Sequence, residues 1–371
     1  MQRLACIVGA RPNFMKIAPI LRAMKNEPNL QPTLVHTGQH YDKYLSDVFF
    51  EELEIDPPDI ALGVGSGTHA KQTAAVMVAF EEVLLQAQEK GEPFDRVIVL
   101  GDVNSTAAAA MAAVKLHIPV AHVEAGLRSY DRQMPEEINR VITDAICDML
   151  LVSEPSGVEN LKREGHSDDQ IHLVGNVMID TLLTQVERAK TAGTVESHNL
   201  TKGQYGVITL HRPSNVDDPK VLGALIDVLV KIAAEIEFVF PIHPRTKSRL
   251  AEFGLDDRLN DCKGIHCMGP IGYLDFLNLT SQAKVIVTDS GGLQEESTAL
   301  GVPCLTMRSN TERPITVEEG TSTLIGNSAT DLNRFLRQVI EGTYKQGKCP
   351  DLWDGRAADR IVEILTSGSK D

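Results

Sequence analysis

Apolar positions along the chain fall into two recurring patterns. Short runs rich in β-branched residues at 4–8, 34–37, 96–100, 120–123 and 149–152 have the length and make-up of strands buried on both faces. Between them the apolar spacing is helical. Phe14, Ile17, Leu21 and Met24 share one face, and an alanine-rich stretch at 103–115 suits close packing. Strand and helix in alternation predict a parallel sheet with crossover helices, here assigned to a first domain at 1–170. A second series of runs at 171–174, 207–210, 238–242, 265–268, 285–288 and 302–305 predicts a second sheet, assigned to 171–355. The expected fold class is therefore α/β, two Rossmann-like parallel-sheet domains. A polar stretch at 189–203 offers one place for the change of domain, and the glycine-bearing stretch around 165–175, adopted for the boundary here, offers an earlier one. A last amphipathic helix, at about 356–368, is expected to return to the first domain.

The 371 residues suit two domains, each able to bury its own core. A formal net charge of -15 provides no basic face for nucleic acid or an acidic membrane, so an anionic ligand has to be gripped by local positive groups. The six cysteines form no pair of CxxC motifs, which predicts reduced thiols and a cytoplasmic protein. Cys262, His266 and Cys267 lack a fourth ligand, and no metal is expected. The start of the chain lacks a charged-then-apolar leader and no apolar run reaches membrane-spanning length, so no membrane association is expected.

Ligands of open α/β sheets bind beyond the carboxyl ends of the strands, which directs attention to the residues that follow each run. The run at 285–288 leads through Asp289, Ser290, Gly291 and Gly292 into a helix ending near Leu300. Two glycines let a phosphate approach the backbone, where first-turn N–H groups point at the anion. Glu295 and Glu296 are placed in that first turn, one of them directed at a ribose diol. Ser-Gly-Gly alone marks only a capped helix. The next strand, however, ends at Met307 and delivers Arg308 and Arg313, and either places a guanidinium over the same anion.

In the first half, Gly9-Ala10-Arg11-Pro12 puts an arginine where a dinucleotide fingerprint needs its second glycine, which argues against nicotinamide. Arg11 and Lys16 instead supply positive charge. Asp102 follows the third strand and Glu124 the fourth, while Glu136 and Glu137 open a helix behind Pro135. Singly each acid has a bland reading as a turn or helix-start residue, but together they crowd carboxylates on one rim. His211 and His243 stand at two strand ends of the second half.

Taken in order, Gly9-Ala10-Arg11-Pro12 with Lys16, the segment 36–40, Gly101-Asp102, His122-Val123-Glu124-Ala125-Gly126-Leu127-Arg128, the segment 135–140, His211-Arg212, the segment 289–296 and Thr311-Glu312-Arg313-Pro314 resemble the non-hydrolysing UDP-N-acetylglucosamine 2-epimerases across nearly the whole chain. The resemblance implies a GT-B architecture with the nucleotide sugar in an interdomain cleft, as a homodimer and without a cofactor. It implies Asp102, Glu124 and Glu136 as the acid/base set, without dividing the two sugar faces among them, assisted by His211. Arg11, Lys16, Ser290, Gly291, Gly292 and Arg313 match nucleotide-phosphate positions, Glu296 the ribose position and Phe276 the uracil pocket. The segment from Gln39 departs from many bacterial relatives, as does Ala75, and self-activation by substrate is expected to be absent or rebuilt. Sigmoidal rate curves abolished by changing Tyr41 or Asp42 would contradict that. The segment 40–52 also resembles the branch acting on UDP-2,3-diacetamido-glucuronate. Three rivals are a GT-B glycosyltransferase, which has no use for carboxylates at both 124 and 136, a hydrolysing relative, and a non-catalytic nucleotide-sugar sensor.

Overall fold

The computed structural model describes residues 1–38 and 54–367, and of Arg11 the backbone alone. The chain forms two units, Met1–Thr181 with Asp351–Asp371, and Leu182–Pro350. Tyr41 and Asp42 lie outside the described residues.

The first unit is built on seven strands, β1 (Gln2–Val8), β2 (Leu30–His36), β3 (Ile60–Ala61), β4 (Arg96–Leu100), β5 (Val120–Ala125), β6 (Met149–Val152) and β7 (Ile171–Leu173), in the order β3-β2-β1-β4-β5-β6-β7. All neighbours are parallel. Strand order reverses between β1 and β4, which makes their carboxyl ends the switch point where such sheets bind ligands. β1 is buried continuously from Leu4 to Val8 because helices cover both faces, which explains why the run reads as unbroken apolar sequence. The alanine-rich helix Asn104–Lys115 lies between His69–Glu89 and Pro135–Ile146, and its small side chains let the neighbours approach closely.

The second unit has six parallel strands, β8 (Tyr205–Thr209), β9 (Glu237–Pro241), β10 (Ile265–Met268), β11 (Val285–Thr288), β12 (Cys304–Thr306) and β13 (Ser322–Leu324), in the order β10-β9-β8-β11-β12-β13. Its switch point lies between β8 and β11. Helix Pro219–Ile232 starts on an Asp218 side chain that accepts from the Lys220 and Val221 N–H groups, and it buries Leu222, Leu225, Ile226, Leu229 and Ile232. Each of those side chains contributes about 1.5–3 kcal/mol of apolar burial.

Two expectations about organisation need correction. The run at 171–174, assigned to the second sheet, is β7 of the first, pairing Leu150 with Ile171 and Val152 with Leu173. The division of the chain accordingly falls after Thr181, within the helix Val177–Ala189. The stretch 189–203 is not a bare linker either. Val195 and Leu200 are buried in the second unit's core, and the Val195 N–H donates to Asn278 Oδ1 at 3.0 Å. The chain returns to the first unit at Asp351, where the helix Ala357–Ser367 packs against Arg11–Met24. Asp180 accepts from the Ala357 and Ala358 N–H groups that open it, at 3.2 and 2.7 Å. Among the described residues no helix is long and apolar enough to cross a membrane.

Candidate active site

In the first unit the acids gather at the carboxyl ends of β4 and β5. Glu124 does not continue the regular strand. The β5–β6 register shifts between Val123 and Ala125, and Glu124 carries φ 68°, a left-handed conformation that costs a non-glycine residue about 1–2 kcal/mol. This bulge turns a residue of a fully buried strand toward the strand mouth. Its Oε2 lies 2.5 Å from Lys16 Nζ, and its Oε1 is buried without a hydrogen-bond partner. A buried carboxylate with an idle oxygen is a group left ready for a partner that the folded chain does not supply. Lys16, matched to nucleotide phosphate, is here the counter-ion of Glu124. Arg11 opens the helix Arg11–Met24.

Asp102 is held from one side by Arg140, whose Nε and Nη2 donate to Oδ2 at 3.0 and 2.7 Å. Glu136 and Glu137 occupy the first turn of Pro135–Ile146 as expected but take different parts. Glu137 is buried and accepts from the Ser129 and Tyr130 N–H groups, from Ser129 Oγ and from Arg140 Nη1, so it fixes the preceding loop. Glu136 is half-buried. Arg140 therefore links the Asp102 and Glu137 carboxylates, a role the sequence reading did not assign.

In the second unit the turn after β11 has the expected strand, turn and helix form, with the helix Gly291–Leu300 starting behind Ser290. Ser290 N–H donates to Thr288 Oγ1 at 2.9 Å, and the N–H groups of the first turn have no partner within the helix. A methyl group at 291 would lie 3.2 Å from Arg313 Nη1, 3.4 Å from Arg308 Nη1 and 3.1 Å from Glu312 Oε1, so both guanidinia converge on this glycine. At 292 a methyl group would meet open space. Arg313 is fixed by Glu295, with Nε 2.7 Å from Oε1, and by Glu312, which Arg308 Nη2 also contacts at 2.8 Å. Two fork-shaped cations are thus locked in orientation by buried acids at a helix N-terminus, an arrangement suited to a diphosphate.

Glu295 and Glu296 lie in the second turn of that helix, not the first as expected, because it begins at Gly291. Glu295 faces Arg313. Glu296 is buried beside Tyr273, whose hydroxyl donates to its Oε1 at 3.3 Å, and burial, with Glu295 adding to it, pushes its carboxyl up to about 7. Phe276 lies on the same helix as Tyr273, half-buried against the second unit's core.

His211 follows β8 and is oriented by Asp289 at the end of β11, with Nδ1 2.7 Å from Oδ1. Asp289 also accepts from the His211 and Arg212 N–H groups and from Asn215 Nδ2. Burial alone would raise its carboxyl, but the His211 hydrogen bond and these donors outweigh that and hold it below the usual range. An ionised Asp289 keeps the proton on His211 Nδ1 and leaves Nε2 for a ligand. The His243 ring lies tilted against that of His211, 5.5 Å away from ring centre to ring centre. Burial, then His211, pushes its imidazole down.

Compared with known families, residues 22–366 match the model described as UDP-N-acetylglucosamine 2-epimerase. The chain belongs to this family of isomerases. Among its relatives, the UDP-N-acetylglucosamine 2-epimerase of Methanocaldococcus jannaschii is 42% identical over 99% of both chains. The UDP-2,3-diacetamido-2,3-dideoxy-D-glucuronate 2-epimerase of Pseudomonas aeruginosa is 37% identical over 98% of this chain and 99% of its own. A crystal structure of the Methanocaldococcus jannaschii epimerase in complex with UDP-GlcNAc and UDP matches with a TM-score of 0.86, covering 99% of this chain and 100% of that one at 42% identity. The two parallel-sheet units are those of the GT-B architecture of these epimerases.

Within this epimerase fold, sequence reasoning missed Asp289, Glu312, Arg140 and Asp144 as site-building residues. A signal existed for the last two. Glu137, Arg140 and Asp144 repeat at helical spacing and are buried, whereas Val141 on the same helix is exposed, so this helix turns its charged face inward.

Proposed function

We propose that the chain interconverts UDP-N-acetylglucosamine and UDP-N-acetylmannosamine at C2, by expelling UDP and adding it back. The observation that carries this reading is a group of carboxylates at the mouths of β4 and β5, with Glu124 buried among them, and an arginine-framed glycine turn after β11, in a chain of this family. Hydrogen at C2 of the sugar is not α to a carbonyl, so a base cannot remove it directly. Departure of UDP from C1 leaves an oxocarbenium-like centre that acidifies this hydrogen. A carboxylate then takes the proton, and 2-acetamidoglucal and UDP result. Delivery of a proton to the opposite face and return of UDP to C1 complete the inversion. Asp102, Glu124 and Glu136 form the acid/base set. Ser290, Gly291, Gly292 and Arg313, with Arg11 and Lys16, hold the diphosphate, while His211 Nε2 stabilises departing phosphate charge. Phe276 lines the uracil. The route is tested with substrate carrying ¹⁸O in the C1–O–P bridge. Movement of the label into the non-bridging β-phosphate oxygens shows C1–O cleavage, and epimerisation with the label still in the bridge and no 2-acetamidoglucal in quenched reactions would rule it out.

Glu296 is assigned to the ribose diol, which requires a carboxylate that accepts. Its carboxyl stands at about 7 without ligand, so UDP binding at pH near 6 releases about one proton and the affinity rises as pH climbs through 7. Calorimetry in buffers of different ionisation enthalpy reads this directly. Identical heats at that pH would remove Glu296 from the ribose.

A second substrate is favoured by the similarity to the Pseudomonas aeruginosa enzyme, whose name specifies a diacetamido-glucuronate sugar. Parallel turnover of the two UDP-sugars separates the readings. We also propose a homodimer. Val78, 64% exposed, and Val141, 38% exposed, lie on helices bordering an open groove of about 560 Å³ lined by Met77, Ala74 and Ile138. Water-facing valines beside an inward-turned charged face are what a second copy would cover. A single-chain mass by light scattering would refute it.

A further inference from the structure

Beneath the carboxylates lies a buried cluster that no step of the proposed chemistry uses. His122 is wholly buried on β5, two residues before Glu124. Its Nδ1 lies 2.6 Å from Asp144 Oδ1 and its Nε2 lies 2.8 Å from the Gly101 carbonyl oxygen. Asp144 Oδ2 accepts from the Gly126 N–H at 3.0 Å and from Arg128 Nη1 at 2.7 Å. Arg128 is anchored in turn to Glu164 through Nε and Nη2, at 2.9 and 2.5 Å.

One carboxylate therefore grips the strand on both sides of the strained residue, through the side chain two positions before Glu124 and the backbone two positions after it. The same imidazole reaches across to the carbonyl next to Asp102. Asp144 itself sits two turns along the helix that begins beside Glu136. Gly126 has φ 81°, and a methyl group there would lie 2.4 Å from the Gly157 carbonyl oxygen, so the Gly157 backbone packs directly against this flank of the bulge. A left-handed glutamate persists only where its surroundings over-determine it, and these contacts do so.

We propose that Asp144 and His122 are positioning residues for the reaction, a buried clamp that holds the Glu124 bulge and sets Asp102 and Glu136 against it. The inference rests on the assignment of Glu124 to the acid/base set. Its consequence is that loosening the clamp slows chemistry without weakening the grip on nucleotide, because a misplacement of about 1 Å costs about 10²-fold. The experiment uses D144N and H122N in the full chain, alone and combined with E124Q, following kcat, KM, UDP affinity by calorimetry and C2 exchange. D144N is expected to lower kcat about 10²-fold, with KM and UDP affinity within about twofold of the parent. In the E124Q background the same change is expected to cost little further, because it acts through a group already gone. H122N, which retains a donor toward Asp144 but cannot span to Gly101, is expected to behave likewise. It carries the test on the same criteria if D144N does not fold and bind UDP. A parental kcat in either folded variant, or losses that multiply fully with E124Q, would overturn the clamp. An E124Q enzyme with full activity would instead overturn the underlying assignment.

Discussion

E124Q is expected to lower both epimerisation and C2 exchange by about 10²–10⁴-fold, the range for losing a positioned general acid or base. Glutamine keeps the side chain's shape but can neither take nor return a proton at physiological pH. The substitution is read against UDP affinity, expected to change far less than the rate, because Ser290, Gly291, Gly292 and Arg313 keep their own partners and only Lys16 of the diphosphate set loses one. Removing the charge also leaves the buried Lys16 ammonium without its 2.5 Å partner, so the thermal midpoint should fall. A rate within tenfold of the parent, in a folded variant, would show that Glu124 is not in the proton path.

R313K is the second large effect. Lysine keeps the positive charge but is a point donor in place of a planar fork. It cannot contact Glu295 and Glu312 and still present a donor beside Gly291, as Arg313 does. Loss of one such preorganised donor from a departing anion costs about 10²–10³-fold in rate, so kcat/KM should fall by about 10²-fold or more and UDP should bind more weakly. Initial rates and calorimetry check both. Unchanged UDP affinity would place the diphosphate elsewhere. Together the two variants separate the halves of the account, since E124Q touches the proton and R313K the leaving group.

Much of the architecture was legible because parallel strands covered on both faces leave continuous apolar runs. β1, β4, β6 and β11 were readable for that reason. β3 has only two residues, and β13 reads Ser-Thr-Leu with a single apolar side chain, so neither leaves such a run. β7 was assigned to the wrong sheet because sheet membership is set by pairing with β6, which periodicity does not report. The stretch 189–203 looked like a linker because it has few apolar side chains, although Val195 and Leu200 bury completely enough to join a core.

The site was legible in its identities more than in its geometry. Asp102, Glu124, Ser290 and Arg313 were all found as residues following strands. The bulge that turns Glu124 was not visible, because the apolar run stops at Val123 and the register shift between Val123 and Ala125 appears only against β6. Glu295 and Glu296 were placed one turn too early because the start of the helix at Gly291 is set by hydrogen bonding, which a glycine pair leaves ambiguous. Asp289 looked like a turn residue. Its role as the acceptor that orients His211 depends on β8 and β11 being neighbours, a fact of topology.

Turnover of UDP-N-acetylglucosamine in heavy water, without nicotinamide and followed by NMR at C2, decides whether the sugar gives up and regains hydrogen there while UDP is retained. Deuterium is expected at C2 of both epimers with UDP still attached. Inversion with the original hydrogen retained, or release of free sugar in place of a UDP-linked product, would contradict the proposed function.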